Sequence, residues 1–184
     1  MNNRIRLHDL EFAPFISEEQ LQQRINEMGA AITADFKGRN PMFLGVLNGA
    51  FIFAADLIRA CDMDCEISFI RLASYSGTAS SGSVATVIGL REDVRGRHVI
   101  IVEDIVDSGR TLHQFLPDLR ELEPASISIA ALLVKPDAME FEVKPDYVGF
   151  EIPMKFVVGY GLDYNGLGRN LKEIRQLIVE GRDG

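Results

Sequence analysis

The sequence predicts an α/β fold with a mainly parallel central sheet. Continuous apolar runs such as MFLGVL (42–47), VIIV (99–102) and SISIAALLVK (126–135) read as strands buried on both faces. Segments of helical periodicity alternate with them, the pattern of strand–helix–strand units. Gly, Pro and Asn punctuate the junctions. Taken in order, Ser17-Glu-Glu-Gln20 has the form of a capping box, and Leu21, Ile25, Met28 and Ile32 continue it as an amphipathic helix. Gly38-Arg39-Asn40-Pro41 ends that helix. Asn48-Gly49 reads as a tight turn after the strand 42–47, Ala50–Cys61 as a helix, and Cys65–Leu72 as the next strand. Residues 85–90 (ATVIGL) and 98–103 (HVIIVE) read as strands around the turn EDVRGR. The segment LHQFLPDLREL follows as a helix that Pro117 should kink or shorten. Lys135-Pro136 ends the strand that starts at Ser126, and the last third is irregular and glycine-rich.

The chain has 184 residues, which suits one domain, and 47% of them are hydrophobic, enough for a substantial core. Its net charge is −8, so a uniformly basic nucleic-acid-binding face is not expected. An anionic ligand would have to be held locally, by backbone amides, a metal or a few placed cations. Cys61 and Cys65, with no nearby His, read as reduced thiols near a helix end rather than a zinc site. The start, MNNRIRLHDLEF, lacks the apolar core of a signal peptide, and no run approaches the roughly 18 apolar residues of a membrane span. A soluble, cytoplasmic protein without membrane or nucleic-acid partners is expected.

Residues 102–111, VEDIVDSGRT, carry the most chemistry. Glu103 and Asp104 should close the strand 99–102, Ile105 and Val106 lead into a turn, and Asp107, Ser108, Gly109, Arg110 and Thr111 form it. Gly109 permits backbone angles that a side chain forbids. The N–H groups of Ser108–Thr111 can then converge on one anion, helped by the positive end of the following helix and by the two hydroxyls. A phosphate monoester fits without a lysine. The neighbouring carboxylates repel phosphate, so they suit sugar hydroxyls or hydrated magnesium. An ordinary strand-to-helix turn with surface acids is the plainer alternative. Asn48, Glu103, Asp104, Asp107 and Lys135 all fall near the carboxyl ends of expected strands, where open α/β sheets bind ligands. Residues 74–86, SYSGTASSGSVAT, read by composition as a surface hairpin, or as a lid over a ligand with Tyr75 its one large group.

The 102–111 stretch resembles the phosphoribosyl-diphosphate (PRPP) signature of the type I phosphoribosyltransferases. LNGAFIF (47–53), Ser74-Tyr75, LLVK (132–135) and PDYVGFEIPMKFVVGYGLDYN (145–165) resemble, in order, the hypoxanthine-guanine phosphoribosyltransferases. That resemblance implies a type I phosphoribosyltransferase fold over residues 1–184. Its core would lie at about 40–135, with a hood from the N-terminal residues and about 136–170 and a flexible lid at Ser74 and Tyr75. It implies purine salvage, in which a 6-oxopurine (hypoxanthine or guanine) displaces pyrophosphate from PRPP to give IMP or GMP. Asp107 would be the general base, though it could simply cap the turn. Glu103 and Asp104 would hold the ribose, directly or through Mg²⁺, with Asp163 reaching a second Mg²⁺. Leu47, Asn48, Gly49 and Arg169 would take pyrophosphate, with a cis peptide between Leu47 and Asn48. Lys135, an obligate donor, would read the purine C6 oxygen; Lys155, Phe156 and the backbone of Val157 would complete the base pocket. Phe156 in an FVV run would otherwise be core, and Asp163 a solvated acid. A Lys or Arg often stands where this chain has Asn48, which leaves more of the pyrophosphate to Arg169, magnesium and amides. A homodimer or homotetramer is implied. The alternatives are a nucleotide-sensing regulator of the same fold and a phosphoribosyltransferase for xanthine, adenine or a pyrimidine.

Overall fold

The computed structural model describes residues 3–73 and 85–179. The expected lid residues Ser74 and Tyr75 lie outside them.

A short hairpin, β1 (Ile5–Leu7) and β2 (Leu10–Ile16), opens the chain. Helix α1 (Glu18–Phe36) follows, and its capping box forms as expected. The Ser17 hydroxyl accepts from the Gln20 amide, and the Gln20 side chain accepts from the Ser17 amide at 2.9 Å. Next come β3 (Met42–Leu47), α2 (Phe51–Ala60), β4 (Glu66–Ala73) and β5 (Ala85–Ile88). Then follow β6 (His98–Val106), α3 (Arg110–Glu121), β7 (Ser126–Val134) and β8 (Tyr147–Glu151). Short strands β9 (Val157–Val158) and β10 (Ile174–Leu177) complete the order.

The large sheet runs β5-β4-β3-β6-β7-β8, parallel except for the edge strand β5. Helices cover both faces, which is why its strands read as unbroken apolar runs. Along β6, Ile100 and Val102 pack toward α1 and α2 with Leu21, Ile25, Phe53 and Leu57. Val99 and Ile101 pack toward α3 with Leu112, Phe115, Leu116 and Leu119. Gly29 lets the two helices on one face touch: a side-chain carbon there would lie 2.6 Å from the Ala60 β-carbon.

Two expectations change. Strand β6 does not stop at Glu103. It continues to Val106, with Glu103 opposite Ala131 and Ile105 opposite Leu133, because β7 is long enough to pair it throughout. Nor does Pro117 cut α3 short. The helix runs on to Glu121, and Pro117 forgoes only its bond to the carbonyl one turn back.

A second, antiparallel sheet, β1-β2-β10-β9, draws on both ends of the chain. It stands apart from the main sheet and carries Lys155, Phe156 and Val157.

Candidate active site

The site begins where β6 runs out. Gly109 adopts φ 78°, reversing the chain so that α3 starts at Arg110 with its free amides facing back toward the strand end. A side-chain carbon at this glycine would lie 2.9 Å from Met139 Sδ and 3.2 Å from the Phe141 carbonyl, so both neighbours would have to give way. The Ser108 carbonyl is tied down by the amides of Glu140 and Phe141, at 3.0 and 3.1 Å. Glu103, Ile105, Val106, Asp107, Ser108, Gly109, Arg110, Thr111 and Leu112 together line a cavity of about 100 Å³. A small anion seated there would meet helix-terminal amides and two hydroxyls.

Asp107 sits at the mouth of this cavity. Lys135, just past the end of β7, reaches across, and its Nζ donates to Asp107 Oδ2 at 2.6 Å. The lysine side chain is only 12% exposed, whereas Asp107 is 54% exposed. The cation is thus fixed by its surroundings, and the carboxylate is open to an incoming group.

The acid pair lies deeper. Glu103 Oε2 is buried with no hydrogen-bond partner. Burial, and then the neighbouring Asp104 charge, push the Glu103 carboxyl well above the usual carboxylate range. Asp104 is pushed up to about 6, chiefly by burial, although the Ile105 amide and the Arg169 charge work the other way. An orphaned carboxylate oxygen beside a second strained acid fits a divalent cation or a sugar diol. Among the described residues no three His, Cys, Asp or Glu side chains cluster as a metal cage. Glu103 and Asp104 would hold a magnesium ion only together with ligand oxygens and water.

Against Asp104 lies the Leu47–Asn48–Gly49 turn, with the expected cis peptide between Leu47 and Asn48. A side-chain carbon at Gly49 would fall 1.7 Å from Asp104 Oδ2. One at Gly161 would fall 2.1 Å from the Gly49 carbonyl. The turn is thus sandwiched between Asp104 and the loop after β9. In that loop Arg169 donates to the Gly161 carbonyl at 2.7 Å and pairs with Asp163 at 2.7 Å. Asp163 also accepts from the Gly166 amide, so it is an anchored acid rather than a freely solvated one.

Phe156 is 43% exposed, and its ring neighbours are Phe12 and Tyr164. It presents an aromatic face on the small sheet. Val157 pairs with Gln176 inside that sheet. Lys155 is engaged elsewhere, donating to Gln176 Oε1 and lying 5.5 Å from the Phe15 ring centre. The structure thus gathers Glu103–Thr111 with Lys135, and Asp104 with Leu47–Gly49, Asp163 and Arg169. Phe156, Val157 and Lys155 stand on the separate sheet. Sequence reading passed over Asp56 and Tyr160, whose hydrogen bond joins α2 to the loop after β9. The available signal was a single acid in the otherwise apolar opening of α2, FIFAADLIRA.

The thiols lie outside this region. Cys61 caps the end of α2 and donates to the Leu57 carbonyl, and burial pushes its thiol up to about 11.

The chain matches the family described as phosphoribosyl transferase domain over residues 17–165. It is 45% identical to the hypoxanthine-guanine phosphoribosyltransferase of Lactococcus lactis, covering 90% of both chains. It is also 45% identical to the bifunctional protein TilS/HprT of Listeria innocua over 90% of its own length, but spans only 26% of that longer protein. The crystal structure of a hypoxanthine-guanine phosphoribosyltransferase from Bacillus anthracis superimposes with a TM-score of 0.85 at 39% identity, covering 91% of this chain and 97% of that one. The phosphate-sized amide cradle, the acid pair beneath it and these likenesses converge: the chain belongs to the phosphoribosyltransferase family, among the hypoxanthine-guanine phosphoribosyltransferases.

Proposed function

We propose that this protein salvages purines by transferring the 5-phosphoribosyl group of PRPP to N9 of a 6-oxopurine, giving IMP or GMP and pyrophosphate. The observation that carries the reading is the Asp107–Lys135 pair at the mouth of the amide-lined cavity. A base with a carbonyl at C6 and a proton on its imidazole ring offers each partner a new contact. Lys135, which can only donate, takes the C6 oxygen; Asp107 accepts the ring proton as N9 attacks C1 of the ribose. A 6-amino group would leave the buried ammonium facing another donor, so adenine is disfavoured.

The amides of Ser108–Thr111 hold the 5-phosphate. Glu103 and Asp104 hold the ribose hydroxyls, and Mg²⁺, when bound at this pair and at Asp163, offsets charge on the departing pyrophosphate. Arg169 and the backbone at Leu47, Asn48 and Gly49 bind that leaving group. Phe156 stacks on the purine, with Lys155 and the Val157 backbone at its edge. Exclusion of water from C1 falls to the segment with Ser74 and Tyr75.

The reading includes a cytoplasmic location and a homodimer or homotetramer. No helix among the described residues is long and apolar enough to cross a membrane, and Phe51, at the start of α2, is 42% exposed. The test is a spectrophotometric panel of hypoxanthine, guanine, xanthine and adenine, each with PRPP and Mg²⁺. Nucleotide should form with hypoxanthine or guanine. Formation with adenine alone, or with none of them, overturns the assignment.

A further inference from the structure

Three successive residues after β9 adopt left-handed backbone: Gly159 at φ 101°, Tyr160 at φ 51° and Gly161 at φ 103°. Glycine takes this conformation freely, but a tyrosine does not. Tyr160 is nonetheless 4% exposed, with its ring in the core beside Ile174 and Leu162. Its hydroxyl donates to Asp56 on α2. The same Asp56 carboxylate accepts from Gln22 of α1 at 3.3 Å and from Arg59 at 3.3 Å. Asp56 is therefore held from three sides, and its side chain is 22% exposed.

The two ends of this bond matter. Helix α2 starts directly after the Leu47–Gly49 turn, and the Ala50 and Phe51 amides bond back to Val46 and Asn48. Asp56 is therefore rigidly attached to the turn. Tyr160 is the immediate neighbour of Gly161, whose α-carbon packs on the Gly49 carbonyl and whose own carbonyl accepts from Arg169. One hydrogen bond thus spans the outside of the sandwich formed by the turn and the Arg169 loop.

We propose that the Tyr160–Asp56 hydrogen bond is a positioning device that sets the spacing between the Leu47–Gly49 turn and the Arg169–Asp163 loop, and so governs the grip on the pyrophosphate moiety of PRPP. It touches no substrate, and it rests on the functional reading above. With Asn48 in place of a cation, the site depends on where backbone groups and Arg169 stand. Neither the purine contacts at Asp107 and Lys135 nor the amide cradle at Ser108–Thr111 connects to this bond.

The test is calorimetric titration of Mg·PRPP together with separate KM values for PRPP and for hypoxanthine. Tyr160→Phe keeps the ring and removes the donor. PRPP binding should weaken by about tenfold or more, as displacements near an ångström do, while the purine KM stays within about twofold. Asp56→Ala should do the same, and the double variant should be no worse than the weaker single. Asp56→Asn, which keeps an acceptor for the phenol, should bind PRPP nearly as the wild type. A fall in melting temperature with unchanged PRPP affinity overturns the proposal, as do equal losses for PRPP and purine, or additive single effects. Tyr160→Phe decides the matter alone if Asp56→Ala does not fold. Wild-type protein that binds no Mg·PRPP would sink the functional reading; intact wild-type binding with an indifferent Tyr160→Phe sinks this inference only.

Discussion

At the scale of single residues, the candidate site sets an exposed carboxylate, Asp107, against a mostly buried ammonium, Lys135, with two buried acids nearby. Asp107→Ala should lower kcat at least about 10²-fold with the fold intact by circular dichroism; near-normal turnover would remove its role as base. Lys135→Ala should raise KM for hypoxanthine more than KM for PRPP, since the contact proposed for the ammonium is the purine C6 oxygen. Asp104 gives a pH-dependent prediction. Its carboxyl is pushed up from 3.8 to about 6 in the folded protein, so the folded state favours the protonated form. The stabilisation linked to that proton is complete below about pH 4 and lost as pH rises through about 6. At pH 7.5, without ligand, Asp104→Asn should therefore be more stable than wild type by about 1–3 kcal/mol in urea unfolding, and the gap should shrink toward pH 4. Catalysis would fall in the same variant. Glu103, Asp104 and the turn Asp107–Thr111 were legible as candidates, because neighbouring acids followed by a small, hydroxylated turn leave few chemical options. Asp56 and Tyr160 were not, because a tyrosine–carboxylate bond between residues 104 positions apart leaves no local pattern.

Secondary-structure elements were read best where their signals are local. The Ser17–Gln20 box announces α1, and Ser17→Ala should cost about 1 kcal/mol, seen as a melting-temperature drop of about 2–4 °C. The buried strands β3, β6 and β7 declared themselves by unbroken apolar runs. The end of β6 was misjudged because a strand stops where its partner stops, and the length of β7 is not written in residues 98–106. For a related reason Pro117 does not shorten α3: packing of Leu112, Phe115, Leu116 and Leu119 against the sheet outweighs one missing hydrogen bond. Strands β9 and β10 are two and four residues long, too short for any periodicity.

On the scale of the whole molecule, the main sheet positions acids and amides, and the small sheet carries the exposed Phe156 ring. Binding of a divalent ion and PRPP should couple these parts. Treatment with EDTA should abolish turnover, and added Mg·PRPP should raise the melting temperature in a concentration-dependent way. Activity that survives chelation would end the magnesium assignment. The doubly covered sheet was foreseeable from composition and alternation. The sheet β1-β2-β10-β9 was not, since its pairings join the first residues to the last.

That pairing has a consequence for biosynthesis. Strand β10 is an interior strand, bonded to β2 on one side and β9 on the other. During translation the hairpin at residues 5–16 leaves the ribosome well before its partner at 174–177. The α/β core can mature as it is extruded, while the small sheet waits for residues 174–177. A chain cut short before residue 174 would keep the Ser108–Thr111 turn and lack the strand that joins β2 to β9.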